Sequence, residues 1–136
     1  MKIGVVRAKY NEGITEKMLE SALSKAEDLD VEAQTLEVPG AYDTPLAADR
    51  LARKSDIDAV AVIGAVIKGD TDHDEVIGHA AATKLSEISL ERDIPVTMGV
   101  TGPGMTAPEA KDRVDYAAQA VESAVEMIEN LSDAGQ

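Results

Sequence analysis

Hydrophobic positions along this chain follow two alternating rhythms. Four short runs, residues 2–6, 31–38, 59–65 and 96–101, are β-rich and largely apolar, the pattern of strands covered on both faces. Gly, Pro or Asn punctuation follows each run. After the first run, Ile14, Met18, Leu19, Ala22, Leu23, Ala26 and Leu29 recur at the spacing of one buried helix face. A second helix is expected from about Pro45 to Lys54, with Thr44 as N-cap and Pro45 at the first helical position. The third is expected from Asp72 to Arg92. The last opens on Thr106-Ala-Pro-Glu109, a capping-box pattern, and carries Ala110, Val114, Ala117, Val121, Ala124, Ile128 and Leu131 as a narrow seam. That seam suits packing against another helix, which makes it a candidate homo-oligomer contact; packing on the chain's own sheet explains the same spacing.

Strand and helix alternating four times predict an α/β fold: a flavodoxin-like, open, parallel four-stranded sheet of order 2-1-3-4, flanked by helices on both faces. The 136 residues fit one domain, 1–136, with a single core. Such sheets bind ligands beyond the carboxyl ends of their strands, which directs attention to residues 7–13, 39–44, 66–72 and 102–105.

Composition narrows the chemistry. The chain has no cysteine, which removes disulfides, thiolate nucleophiles and Cys-based metal sites and leaves His73 and His79 as the imidazoles. Six residues apart, they lie about 120° from one another round a helix and do not readily share an ion. The acidic run from Asp70 to Glu75 lacks the glycine and glutamate that a calcium loop needs at its sixth and twelfth places. No metal or organic cofactor is expected. A net charge of −13 repels phosphate backbones and anionic lipids, and no apolar run is long enough to span a bilayer, so neither nucleic acid nor membrane is an expected partner. With a strand pattern at Lys2 and no basic, long-apolar signal before it, the expected compartment is the cytoplasm. The acidic excess, alanine-rich helices and lack of Phe and Trp suggest a halophilic protein from a salt-rich cytoplasm.

Two of the three aromatic residues, Tyr10 and Tyr42, fall in the first two strand-end loops. They offer faces on which a planar ring can stack, although a tyrosine that caps the sheet with its hydroxyl in water satisfies the same pattern. In the third loop, Lys68-Gly-Asp-Thr-Asp-His73 runs into a helix N-terminus, where free N–H groups favour anions and Gly69 allows a ligand close to the backbone. His73 on that first turn is placed to carry protons near neutral pH. His79 reads as surface or packing. The fourth loop, Gly102-Pro-Gly-Met105, follows the last strand, which argues against a dinucleotide fingerprint. Arg113 offers a guanidinium for a phosphate, or an ordinary i,i+4 pair with Glu109.

Taken together, Tyr10-Asn-Glu-Gly-Ile-Thr15, Val38-Pro-Gly-Ala-Tyr-Asp-Thr-Pro45, Gly64-Ala-Val-Ile-Lys-Gly-Asp-Thr-Asp-His73, Gly99-Val-Thr-Gly-Pro-Gly-Met-Thr106 and Arg113-Val-Asp-Tyr116 resemble, in order and spacing, the 6,7-dimethyl-8-ribityllumazine synthase family in its archaeal form. The resemblance covers nearly the whole chain. It implies a transferase of riboflavin biosynthesis that condenses 5-amino-6-(D-ribitylamino)uracil with 3,4-dihydroxy-2-butanone 4-phosphate, releasing phosphate and water without a cofactor. It further implies that Tyr10, with Asn11 beside it, stacks on the pyrimidine, that Ala41, Tyr42 and Asp43 line the ribityl and ring pocket, and that Val66, Ile67 and Lys68 frame the pyrimidine. Asp70, Thr71 and Arg113 would hold the butanone phosphate, Asp70 through its backbone N–H, and His73 would be the acid–base histidine. The family forms homo-pentamers, some closing into 60-subunit shells, with sites at subunit interfaces; riboflavin synthase is a further implied partner. Met98 sits where the family places an apolar or aromatic side chain reaching in from a neighbour, and the lysine some members carry after the arginine has no counterpart here.

Two other readings fit the fold: an archaeal riboflavin synthase paralogue, which dismutates two lumazines, and a non-catalytic flavin-binding or shell-forming protein. The Gly69-Asp-Thr-Asp-His73 and Gly102-Pro-Gly-Met-Thr106 loops favour the lumazine enzyme over the first, and Thr71, His73 and Arg113 occurring together argue against the second.

Overall fold

The apolar runs form a parallel sheet of order β2-β1-β3-β4, with β1 Lys2–Ala8, β2 Glu32–Val38, β3 Ala59–Ile67 and β4 Val96–Met105. The computed structural model describes residues 1–69 and 72–134. The topology is the one the βα alternation predicts, with β1 in the middle and the chain reversing its direction of growth between β2 and β3. Strands β1 and β3 are the interior strands, and the burial of their side chains explains why β3 is apolar throughout and β1 is apolar from Ile3 to Val6.

Two apolar clusters lie on opposite faces. On one, Ile3, Val5, Ala61 and Ile63 pack under α1, Glu12–Asp28, and α5, Tyr116–Ala134. On the other, Val6, Val60 and Val62 pack under α2, Thr44–Ala52, and α3, His73–Arg92. Each fully buried Val or Ile side chain contributes roughly 1.5–3 kcal/mol of transfer free energy, so alternation along β1 and β3 is what fixes their register. Two glycines let helices close on the sheet, and the first is Gly4, where an added Cβ would lie 2.7 Å from the Leu51 Cδ1 of α2. A Cβ at Gly99 would lie 2.7 Å from the Tyr116 carbonyl oxygen and 2.9 Å from the Ala120 Cβ, so α5 sits directly on the β4 backbone.

Several local expectations change. Arg7 belongs to β1 and not to a loop; it is buried, pairs with Glu37 at 2.7 Å and donates to the Thr15 hydroxyl at 3.3 Å. Thr44 is not a cap: Asp43 occupies that place, and the Thr44 hydroxyl donates to the Ala41 carbonyl at 2.7 Å. The last helix is two helices. The Thr106–Glu109 capping box forms as expected but starts only α4, Ala107–Lys111. A turn at Asp112–Asp115, held by i→i+3 bonds from Arg113, Tyr116 and Ala117, then leads into α5. The seam runs through that break because Ala110 and Ala117 still share one cluster. Its buried members Ala117, Val121 and Ala124 are spent within the chain, beneath α1 and against the sheet, so they do not form an oligomer contact.

Candidate active site

The carboxyl ends of β1 and β3, with the connections that leave them and β2, enclose a cavity of about 550 Å³. It lies where the sheet's winding reverses, the place an open α/β sheet offers to a ligand. Val66 and Ile67 of β3 form its apolar floor, Lys68 and Gly69 continue that floor towards α3, and His73 stands on the first turn of α3 above it. Tyr10 and Tyr42 flank the mouth with 72% and 69% of their surface exposed, so two aromatic faces meet solvent at one opening.

Local chemistry fixes these walls. Asn11 adopts a left-handed conformation (φ 65°) as it caps α1, and its side-chain amide donates to the Ala65 carbonyl at 3.0 Å. That bond ties the loop carrying Tyr10 to the end of β3. Across the mouth, the Asp43 carboxylate accepts the Gly40 N–H at 3.0 Å and closes the short 3-10 turn Ala41–Asp43 on which Tyr42 sits. The Lys68 N–H donates to the Met105 carbonyl at 2.7 Å, so its side chain and carbonyl, not its N–H, are left for a ligand. The register between β3 and β4 shifts between Ala65 and Ile67, which turns Val66 and Ile67 towards the cavity.

Of the residues singled out from sequence, the cavity gathers Tyr10, Asn11, Ala41, Tyr42, Val66, Ile67, Lys68 and His73. Asp43 supports the turn from behind without lining the cavity. Asp70 and Thr71 lie outside the described residues. Arg113 is exposed at the α4–α5 turn, with its guanidinium donating to the Asp112 carbonyl at 3.4 Å. The expected Glu109–Arg113 pair gives way to the cap: the Glu109 carboxylate accepts from the Thr106 N–H at 3.1 Å and hydroxyl at 2.9 Å. These bonds, the N–H first, with Arg113 and Lys68 adding charge attraction, hold the Glu109 carboxyl below the ordinary value. Met98 points away, into a separate groove shared with Val100, Tyr116 and Gln119. His79 is exposed on α3.

Four lining residues escaped the sequence reading, and Ala65 near the end of β3 is the first of them. Ile77 lies one turn beyond His73 and was recoverable from the helical period. Gly40 precedes Tyr42's turn. Asp74 is buried, and nothing in a run of acidic residues marks one member as different.

The comparisons with known proteins agree on one family. The family model described as 6,7-dimethyl-8-ribityllumazine synthase matches residues 1–132. The chain belongs to the 6,7-dimethyl-8-ribityllumazine synthase family. It is similar to the lumazine synthase of Halobacterium salinarum, 56% identical over 131 residues that cover 96% of this chain and 98% of that one. The lumazine synthase of Halorubrum lacusprofundi is 53% identical over 132 residues, covering 96% and 98%. That of Methanocaldococcus jannaschii is 46% identical over 132 residues, covering 96% and 94%.

Proposed function

We propose that this chain, as one domain over residues 1–136, condenses 5-amino-6-(D-ribitylamino)uracil with 3,4-dihydroxy-2-butanone 4-phosphate to give 6,7-dimethyl-8-ribityllumazine, phosphate and water, as a transferase of riboflavin biosynthesis. The observation that carries the reading is the cavity that brings His73, Lys68 and two exposed tyrosines together at the switch point of a lumazine-synthase-family chain.

The chemistry asks for three things. A planar pyrimidine needs an aromatic face and an apolar floor, which Tyr10 with Val66 and Ile67 provide. A phosphate needs positive charge and N–H donors; Lys68 lies on that side of the cavity, near the α3 N-terminus, with Asp70, Thr71 and Arg113 assigned to the same role. Forming the imine, expelling phosphate and closing the ring each move a proton, and His73 is the imidazole in reach of the space between the two substrates. Holding two reactants in one cavity supplies much of the remaining acceleration.

The working unit we assign is a cytoplasmic homo-pentamer, with Met98 entering a neighbour's site. Its support is geometric: Met98 is 37% exposed on edge strand β4, and its own cavity lies elsewhere. No helix among the described residues is long and apolar enough to cross a membrane.

The deciding experiment mixes purified protein with both substrates and follows lumazine fluorescence above the uncatalysed background. Acceleration supports the reading, and its absence overturns it. Riboflavin formed from lumazine alone would assign the chain to riboflavin synthase chemistry instead.

A further inference from the structure

Three contacts converge on the end of β4, and two other walls of the cavity supply them. At Gly102 (φ 97°) an added Cβ would lie 1.8 Å from the Val66 carbonyl oxygen, so that glycine is pressed onto the floor strand. Pro103 rests on α3 at Gly78, where an added Cβ would come within 2.9 Å of the proline Cδ. Gly104 donates its N–H to the Asp74 carboxylate at 2.9 Å. Asp74 and Gly78 are one turn apart on the same face of α3. The Gly102–Gly104 turn is thus keyed between β3 and the helix that carries His73.

Burial singles out Asp74. At 8% exposed it is the buried carboxylate among the described residues, and an ionised carboxylate taken out of water needs a partner that the Gly104 amide supplies. Its neighbours His73 and Glu75 are exposed, so Asp74 is the one residue of His73–Glu75 turned into the protein. Helix ends fray, and the first turn carries N–H groups without intrahelical partners. The Asp74–Gly104 bond ties that turn to the end of β4. One residue further along, the Met105 carbonyl takes the Lys68 N–H at 2.7 Å. Consecutive residues of one segment therefore hold the histidine side and the lysine side of the cavity.

We propose that Asp74 is a positioning residue: through the Gly104 N–H it fixes the first turn of α3, and so sets where His73 stands relative to Lys68. The inference rests on the reading of His73 as proton carrier. It assigns Asp74 an anchoring role through its acceptor oxygen and gives its charge a minor one.

The test compares Asp74→Ala, Asp74→Asn, His73→Ala and the alanine double variant in the assembled protein at high salt. Readouts are kcat, KM for each substrate, and hydrogen–deuterium exchange of the peptide spanning Gly104. Displacement of a reacting group by an ångström costs up to about a hundredfold, so Asp74→Ala should lower kcat by roughly 10–100-fold with KM nearly unchanged. The amide oxygen of Asp74→Asn still accepts from Gly104 and should restore kcat to within about threefold, because the geometry that sets proton transfer is kept. Exchange at Gly104 should speed up in Asp74→Ala and stay slow in Asp74→Asn. The double variant should be no slower than His73→Ala, since Asp74 acts through the histidine. If the alanine variant fails to fold, Asp74→Ser, too short to reach the amide, takes its place.

Parent-like kcat in Asp74→Ala beside a slow His73→Ala overturns this proposal alone. Asparagine as slow as alanine, with Gly104 still protected, overturns it in favour of charge. Parent-like turnover in His73→Ala overturns the proton-carrier reading, and with it the positioning of His73.

Discussion

The side-chain amide of Asn11 donates to the carbonyl of Ala65 across 54 positions of sequence, at 3.0 Å. One residue therefore both turns the chain in a left-handed conformation and bolts the Tyr10 loop to β3. Asn11→Ala loses the bond and the residue type that tolerates positive φ, a combined cost of about 1–3 kcal/mol. Asn11→Gly loses only the bond. The melting temperature should fall by several degrees in the alanine variant and by less in glycine, with KM for the aminouracil raised in both. Equal melting of parent and Asn11→Ala would remove the structural role.

Much of this architecture is legible in the sequence, and the failures share a cause. β3 could be read because an interior strand must be apolar on both faces, and the switch point follows from strand order alone. Arg7 was misread as loop because its partners, Glu37 and Thr15, come from other elements. The break at Asp112–Asp115 escaped because the apolar seam continues through it. Asp74 escaped because one carboxylate in an acidic run looks like any other until Gly104 is folded against it. Patterns report faces; they do not report which polar atom meets which. The eight residues that share the cavity came from strand-end loops and motif resemblance, whereas Asp43 shows that matching position does not fix which space a side chain faces; Met98 and Arg113 lie outside their own chain's cavity.

His73 is exposed at the helix start, so its removal should leave the core intact. General acid–base groups contribute about 10²–10⁴-fold, and His73→Ala should lower kcat by that order with KM and melting temperature close to the parent's. Steady-state lumazine fluorescence with both substrates saturating checks it. Turnover within about twofold of the parent would relocate proton transfer to another group or to water.

Glu109 gives a pH dependence of known sign. Its carboxyl is held below the ordinary value of 4.5 by the Thr106 N–H and hydroxyl, so the folded state binds its proton less readily than the unfolded chain. The stability this supplies is present above pH 4.5 and is lost as pH falls through the lower folded value. In Glu109→Gln the deficit in melting temperature should be visible at pH 7 and vanish towards pH 3. A deficit constant across that range would mean the cap works without its charge.

Charge sets a last dependence. The ion pairs among the described residues engage Glu37, Asp49, Asp56, Glu87 and Glu122, a small share of the 26 acidic side chains. The others, including Glu126, Glu129 and Asp133 along the exposed side of α5, repel one another with a net charge of −13 to drive it. The screening length falls from about 10 Å at 0.1 M salt to about 3 Å at 1 M, so salt should stabilise this protein through its surface. Each kcal/mol of repulsion removed raises the melting temperature by roughly 2–8 °C for a chain of this size. Calorimetry from 0.1 to 2 M KCl should show that rise, and replacing Glu126 and Glu129 by lysine should flatten it by setting two ammonium groups among the remaining carboxylates of α5. A flat melting curve in the parent would separate the acidic surface from salt tolerance and leave solubility as its physical effect.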